Sequence, residues 1–61
     1  MGNFIEVESK YQKVSIRKDA IVAVINQGHE VRIILAGVEF DVDVKQPYDK
    51  FMAWLNKQFD Q

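Results

Sequence analysis

The chain has 61 residues, with eight Lys and Arg against nine Asp and Glu, so no global field draws it to nucleic acid or to an anionic membrane. Apolar residues make up 48% and charged residues 28%, which excludes a disordered tail and describes a chain that folds. A domain this short buries little surface, and with no cysteine and one histidine, His29, neither disulfides nor a structural metal can support it, which leaves self-association.

The first element runs from about residue 4 to 9, where Ile5 and Val7 share one face and Glu6 and Glu8 the other, the alternation of a half-buried strand. Lys10, Tyr11 and Gln12 supply a turn into a second strand at about 13–17, with Val14 and Ile16 alternating against Ser15 and Arg17. After the polar break at Lys18 and Asp19, residues 20–26 read Ala-Ile-Val-Ala-Val-Ile-Asn, rich in β-branched side chains and expected as the central strand. Gln27, Gly28 and His29 form the next turn, with Gly28 free to adopt positive φ.

Val31, Ile33 and Leu35 then share one face of a strand at about 30–36. Val38, Phe40, Val42 and Val44 share one face of a strand at about 38–44, whose polar face carries Glu39, Asp41 and Asp43. A two-residue turn at Ala36 and Gly37 pairs Leu35 with Val38, Ile33 with Phe40 and Val31 with Val42. A type I turn with a bulge competes with that geometry, because Ala is a poor residue for positive φ.

Pro47 suits the start of a helix over about 47–59, and Asp49 in its first turn complements the dipole. At about 100° per residue, Tyr48, Phe51, Met52, Leu55 and Phe59 fall in one stripe, with Trp54 at its border. The expected fold class is therefore α+β, mostly β. One domain over 1–61 is expected, a meander of four to five short antiparallel strands with one C-terminal amphipathic helix packed on the sheet.

One helix covers one side of a sheet. If Ile21, Ala23 and Ile25 continue the inner face, then Val22, Val24 and Ile34 form an apolar patch on the open side, the expected interface together with Trp54. The segment 10–18 gathers Lys10, Lys13, Arg17 and Lys18, half of the eight basic residues, with Tyr11 able to stack on a base. Its competing reading is an edge strand whose lysines prevent unwanted pairing.

His29 lacks partners for a metal site, and the carboxylates of Glu6, Glu8, Glu39, Asp41 and Asp43 read as solvated strand faces paired with basic neighbours. No nucleophile motif, phosphate loop or dinucleotide fingerprint occurs, so neither an enzyme nor a cofactor is expected. The N-terminus shows no basic region followed by an apolar run, and no stretch approaches the ~20 apolar residues of a membrane span, so a cytoplasmic protein is expected.

Phe-Ile-Glu-Val at 4–7, Val-Ser-Ile-Arg-Lys-Asp-Ala-Ile-Val-Ala-Val at 14–24 and the run from Val31 to Val42 together resemble the small flagellar FlbD-type family. That resemblance implies a short β-meander followed by a C-terminal helix, with no catalytic residues. The stretch from Arg17 to Leu55 is similar in element order to the C-terminal part of LytTR-type DNA-binding domains, which implies DNA contact.

The expected function is a non-enzymatic interaction or regulatory module acting as a homo-oligomer or with a protein partner. The alternatives are a nucleic-acid-binding module using segment 10–18, and a small-ligand site between protomers.

Overall fold

The computed structural model describes residues 3–60. Its elements are β1 (Phe4–Glu8), β2 (Lys13–Arg17), a 3-10 turn (Lys18–Ala20), β3 (Ile21–Asn26), β4 (Val31–Leu35), β5 (Val42–Val44) and α1 (Tyr48–Phe59). All pairings are antiparallel, in a two-stranded sheet β1–β2 and a three-stranded sheet β3–β4–β5. The α+β meander with one C-terminal helix is thus the observed architecture.

In the first hairpin the alternation is obeyed without interruption. Ile5 pairs with Ile16 and Val7 with Val14, and Ile5, Val7 and Ile16 are buried. The Ser9 side chain closes the loop, its Oγ donating to the Gln12 carbonyl at 2.6 Å and accepting the Gln12 N–H at 3.1 Å. A serine hydroxyl that both donates and accepts across a turn substitutes for a missing backbone bond.

β4, and not the run 20–26 expected to be central, is the centre of the second sheet, β3 lying at its edge, and the inner residues Val31, Ile33 and Leu35 of β4 are all buried. Val42 and Val44 of β5 and Phe51 and Leu55 of α1 complete the core against them. Gly28 turns the chain between β3 and β4 at φ +88°, where Asn26 Oδ1 accepts its N–H at 2.9 Å and the Gln27 N–H donates to the Glu30 carbonyl at 3.0 Å.

Three further sequence expectations are corrected. The strand expected at 38–44 is reduced to Val42–Val44, and Val31 pairs with Val44 rather than with Val42. The reason lies at Ala36, whose N–H donates to the Ala20 carbonyl at 2.8 Å and so extends the β3–β4 pairing, leaving only Gly37 at positive φ (+76°). The chain then needs a longer loop to return, and Val38 and Phe40 are exposed within it. Because the register moves by an even number of residues, Val42 and Val44 still face inward.

The second correction concerns β3. Its pairing with β4 shifts between Ile21 and Ala23, so Ala23 lies opposite Ile34 and Val24 opposite Ile33. Such a bulge inserts one unpaired residue and reverses the facing of the residues beyond it. Ile21 and Val24 consequently both pack against the core, whereas Ala23 and Ile25 are exposed, contrary to the inner face expected for them.

The third concerns Phe59, which is 49% exposed although it belongs to the helical stripe. The last turn of α1 is instead held through its backbone, because Lys18 Nζ donates to the Gln58 carbonyl at 2.6 Å. A cation on a helix C-terminal carbonyl satisfies an orphan acceptor and complements the dipole. At the other end Pro47 is the N-cap, extended at ψ 146°, and its carbonyl accepts the Phe51 N–H at 3.0 Å.

Candidate functional surfaces

The bulge decides which residues of β3 lie on the open face of the three-stranded sheet. Val22 at the bulge is 66% exposed and Ile25 is 41% exposed, with Ala23 beside them and Ile34 half-buried opposite Ala23. Of the expected interface residues, Val22 and Ile34 therefore lie outside the core. Val24 is corrected to the inner face, opposite the fully buried Ile33. Ile25 takes its place outside, which alternation alone could not reveal.

Arg32 stands on that same outer face, directly opposite Asp43, and its Nε donates to Asp43 Oδ1 at 3.0 Å, with Asp41 Oδ2 at 3.9 Å. The hydrogen bond to Asp43 and then its charge push the guanidinium pKa further up, with Asp41 and Glu30 adding to the effect. Arg32 and its carboxylates thus form a charged group beside the apolar patch, so Asp41 and Asp43 are paired as expected, whereas Glu6, Glu8 and Glu39 have no ion pair within 4 Å among the described residues.

The basic segment is largely engaged within the chain. Lys10 Nζ lies 3.0 Å from Glu30 Oε2, Arg17 Nε lies 2.9 Å from Asp19 Oδ1, and Lys18 caps α1. Glu30, through its hydrogen bond and its charge, raises the Lys10 pKa above the ordinary 10.5. Lys13 faces Glu8 across the hairpin without an ion pair within 4 Å among the described residues, and Tyr11 projects 90% exposed from the turn. Lys10, Arg17 and Lys18 are thus each held by a partner within the chain.

Trp54 is half-buried and tilted on Phe51, the ring centroids 5.6 Å apart. It lines a groove of about 320 Å³ bounded by β1 on one side and by Val44, Gln46 and α1 on the other. A smaller cleft of about 160 Å³ lies under the β1–β2 turn, between Tyr11 and the Phe40 loop.

His29 is exposed in the β3–β4 turn, and among the described residues no group of three or more His, Cys, Asp or Glu side chains could hold a metal ion. No helix among them is long and apolar enough to cross a membrane.

No family model matches the chain, and neither a curated protein nor a solved structure matches it.

Proposed function

We propose that this chain is a non-enzymatic interaction module of the cytoplasm that pairs with a second copy of itself through the outer face of β3–β4. The observation that carries the reading is the exposed Val22 and Ile25 beside Ala23 and Ile34, on the side of the sheet that α1 does not cover. An apolar patch on a small sheet is costly in water, and a two-fold partner presents the same patch to it. The rim suits that symmetry, because Arg32 with Asp41 and Asp43 of its own chain puts both signs of charge beside the patch, and a two-fold partner can meet each with its opposite. The FlbD-type resemblance of the strand order fits a module without catalytic residues.

Sedimentation at micromolar concentration tests the reading. The wild-type chain is expected as a dimer, and Ile25→Lys, which places a charge on the patch without touching the core, is expected as a monomer with an unchanged circular dichroism spectrum. A wild-type monomer, or a dimer unaffected by Ile25→Lys, overturns it. Val24→Asp is unsuitable, since it buries a charge against Ile33 and unfolds the chain.

Nucleic-acid binding through Lys10, Lys13, Arg17 and Lys18 with Tyr11 finds less support, because three of those four cations already have partners within the chain.

A further inference from the structure

The two ends of the first hairpin fix which way the β1 peptide groups point. The Lys18 N–H donates to the Asn3 carbonyl at 2.7 Å and the Ser9 N–H donates to the Gln12 carbonyl at 2.8 Å. Peptide groups alternate in direction along a strand, so those of Asn3, Ile5, Val7 and Ser9 turn to β2. Those of Phe4, Glu6, Glu8 and Lys10 turn to the opposite edge. Lys10 confirms the phase, since its N–H donates away from β2 to the Asp43 carbonyl at 3.1 Å.

That bond joins Lys10, in the turn just beyond β1, to β5, and no other backbone hydrogen bond links this end of the hairpin or β1 itself to β5 among the described residues. β1 and β5 belong to different sheets, and after Val44 the chain turns off, with the Gln46 N–H donating back to the Val44 carbonyl at 2.9 Å. The space between them is the groove of about 320 Å³. Its inner wall is Phe51 and Trp54, its outer lip is Glu6 and Glu8 with Lys50 across the groove on α1, and no ion pair engages either glutamate within 4 Å among the described residues, Lys50 included.

We propose that this groove takes an extended segment of another protein, added as a strand to the free edge of β1, with basic residues opposite Glu6 and Glu8 and an apolar residue opposite Val7. Facing residues of paired strands share one side of the sheet. The residue opposite Val7 therefore points inward, onto Trp54 and Phe51, while its two neighbours point outward, onto the glutamates. The Lys10–Asp43 bond closes one end of the groove and limits pairing to Phe4 through Glu8.

The same charges exclude the simplest alternative occupant. A second β1 pairing antiparallel about Glu6 sets Glu6 against Glu6 and gains no cation, so the edge is protected against its own copy. This site is separate from the β3–β4 face and does not depend on it.

Trp54, the one tryptophan in the chain, reports on the groove directly. Titration of the full chain with a blocked synthetic peptide, Thr-Lys-Val-Arg-Thr, is expected to give a saturable change in Trp54 fluorescence. The charge reversal Glu6→Lys with Glu8→Lys is expected to weaken binding about tenfold or more. A Thr-Glu-Val-Glu-Thr peptide should not bind, nor should the basic peptide with its central amides N-methylated, which removes the main-chain donors and keeps the charge.

Ile25→Lys should leave the titration unchanged, so the peptide site and the self-association can fail separately. Equal binding of the N-methylated peptide reduces the contact to surface charge and overturns the proposal. So does the absence of a fluorescence change at millimolar peptide, or concentration-dependent growth of large particles by the chain alone that Glu6→Lys with Glu8→Lys abolishes, which assigns the edge to β2 of another copy.

Discussion

The two hairpins β1–β2 and β4–β5 use the same alternation and end differently. Ser9 closes the first at once, through two hydrogen bonds of its hydroxyl to Gln12, and all of Phe4–Glu8 stays paired with Lys13–Arg17. In the second, Ala36 remains bonded to Ala20 of the neighbouring connection, and pairing resumes only at Val42. A hairpin's length is thus set by where its first loop residue finds a hydrogen-bond partner, more than by how far the apolar alternation continues. The two endings also differ in what they leave open: the tightly closed hairpin leaves the outer edge of β1 outside any sheet pairing, whereas the loosely closed one leaves Phe40 in a loop beside Tyr11.

Removing what the hairpins share should erase the difference between them. Phe51 is 1% exposed and belongs to the core formed by both, so Phe51→Ala should cost about 3–5 kcal/mol. A chain of this length has a total stability of only ~3–9 kcal/mol. Both hairpins should therefore unfold in one transition in urea, and persistence of amide protection in β3–β4 after β1–β2 has exchanged would show them to be independent.

Loop substitutions come next. Gly37 has φ +76° and a Cβ there would meet nothing within 4 Å, so Gly37→Ala should cost about 1–2 kcal/mol through backbone strain alone. Ser9→Ala, which removes the hydroxyl's bonds, should cost about 1 kcal/mol. Urea midpoints at constant slope measure both, and a neutral Ser9→Ala would mean that the first loop closes without its side chain.

The smallest effect belongs to Lys10, whose ammonium links the first turn to Glu30 beyond the second. Its raised pKa stabilises the fold fully below the ordinary lysine value and loses that contribution as pH rises through the folded value. Lys10→Met keeps the N–H bonded to Asp43 and should flatten the alkaline decline of the thermal midpoint. An unchanged alkaline slope would remove Lys10 as its source.

Most of the fold was legible because the two periods were clean. Ile5, Val7 and Ile16 alternate with charged or polar residues, and Phe51, Met52 and Leu55 recur at helical spacing, so each face names itself. The run Ile21–Ile25 contains no polar residue, so nothing in it marks which side faces water or where a bulge falls. Trp54 was legible as a border residue, but the groove beside it lies between β1 and β5, which are distant in sequence and belong to different sheets. The engagement of Lys10 and Lys18 was hidden for the same reason, since Glu30 and Gln58 reach them only in the folded chain.

The bulge at Val22 has a last effect, on how far assembly can proceed. β3 is the outer strand of its sheet, and a strand with one residue out of step cannot offer a neighbour an even ladder of donors and acceptors. A strand of another chain laid along β3 would lose its register at Val22. The same irregularity that turns Val22 and Ile25 outward thus makes β3 a poor template for the strand-by-strand growth that builds fibres.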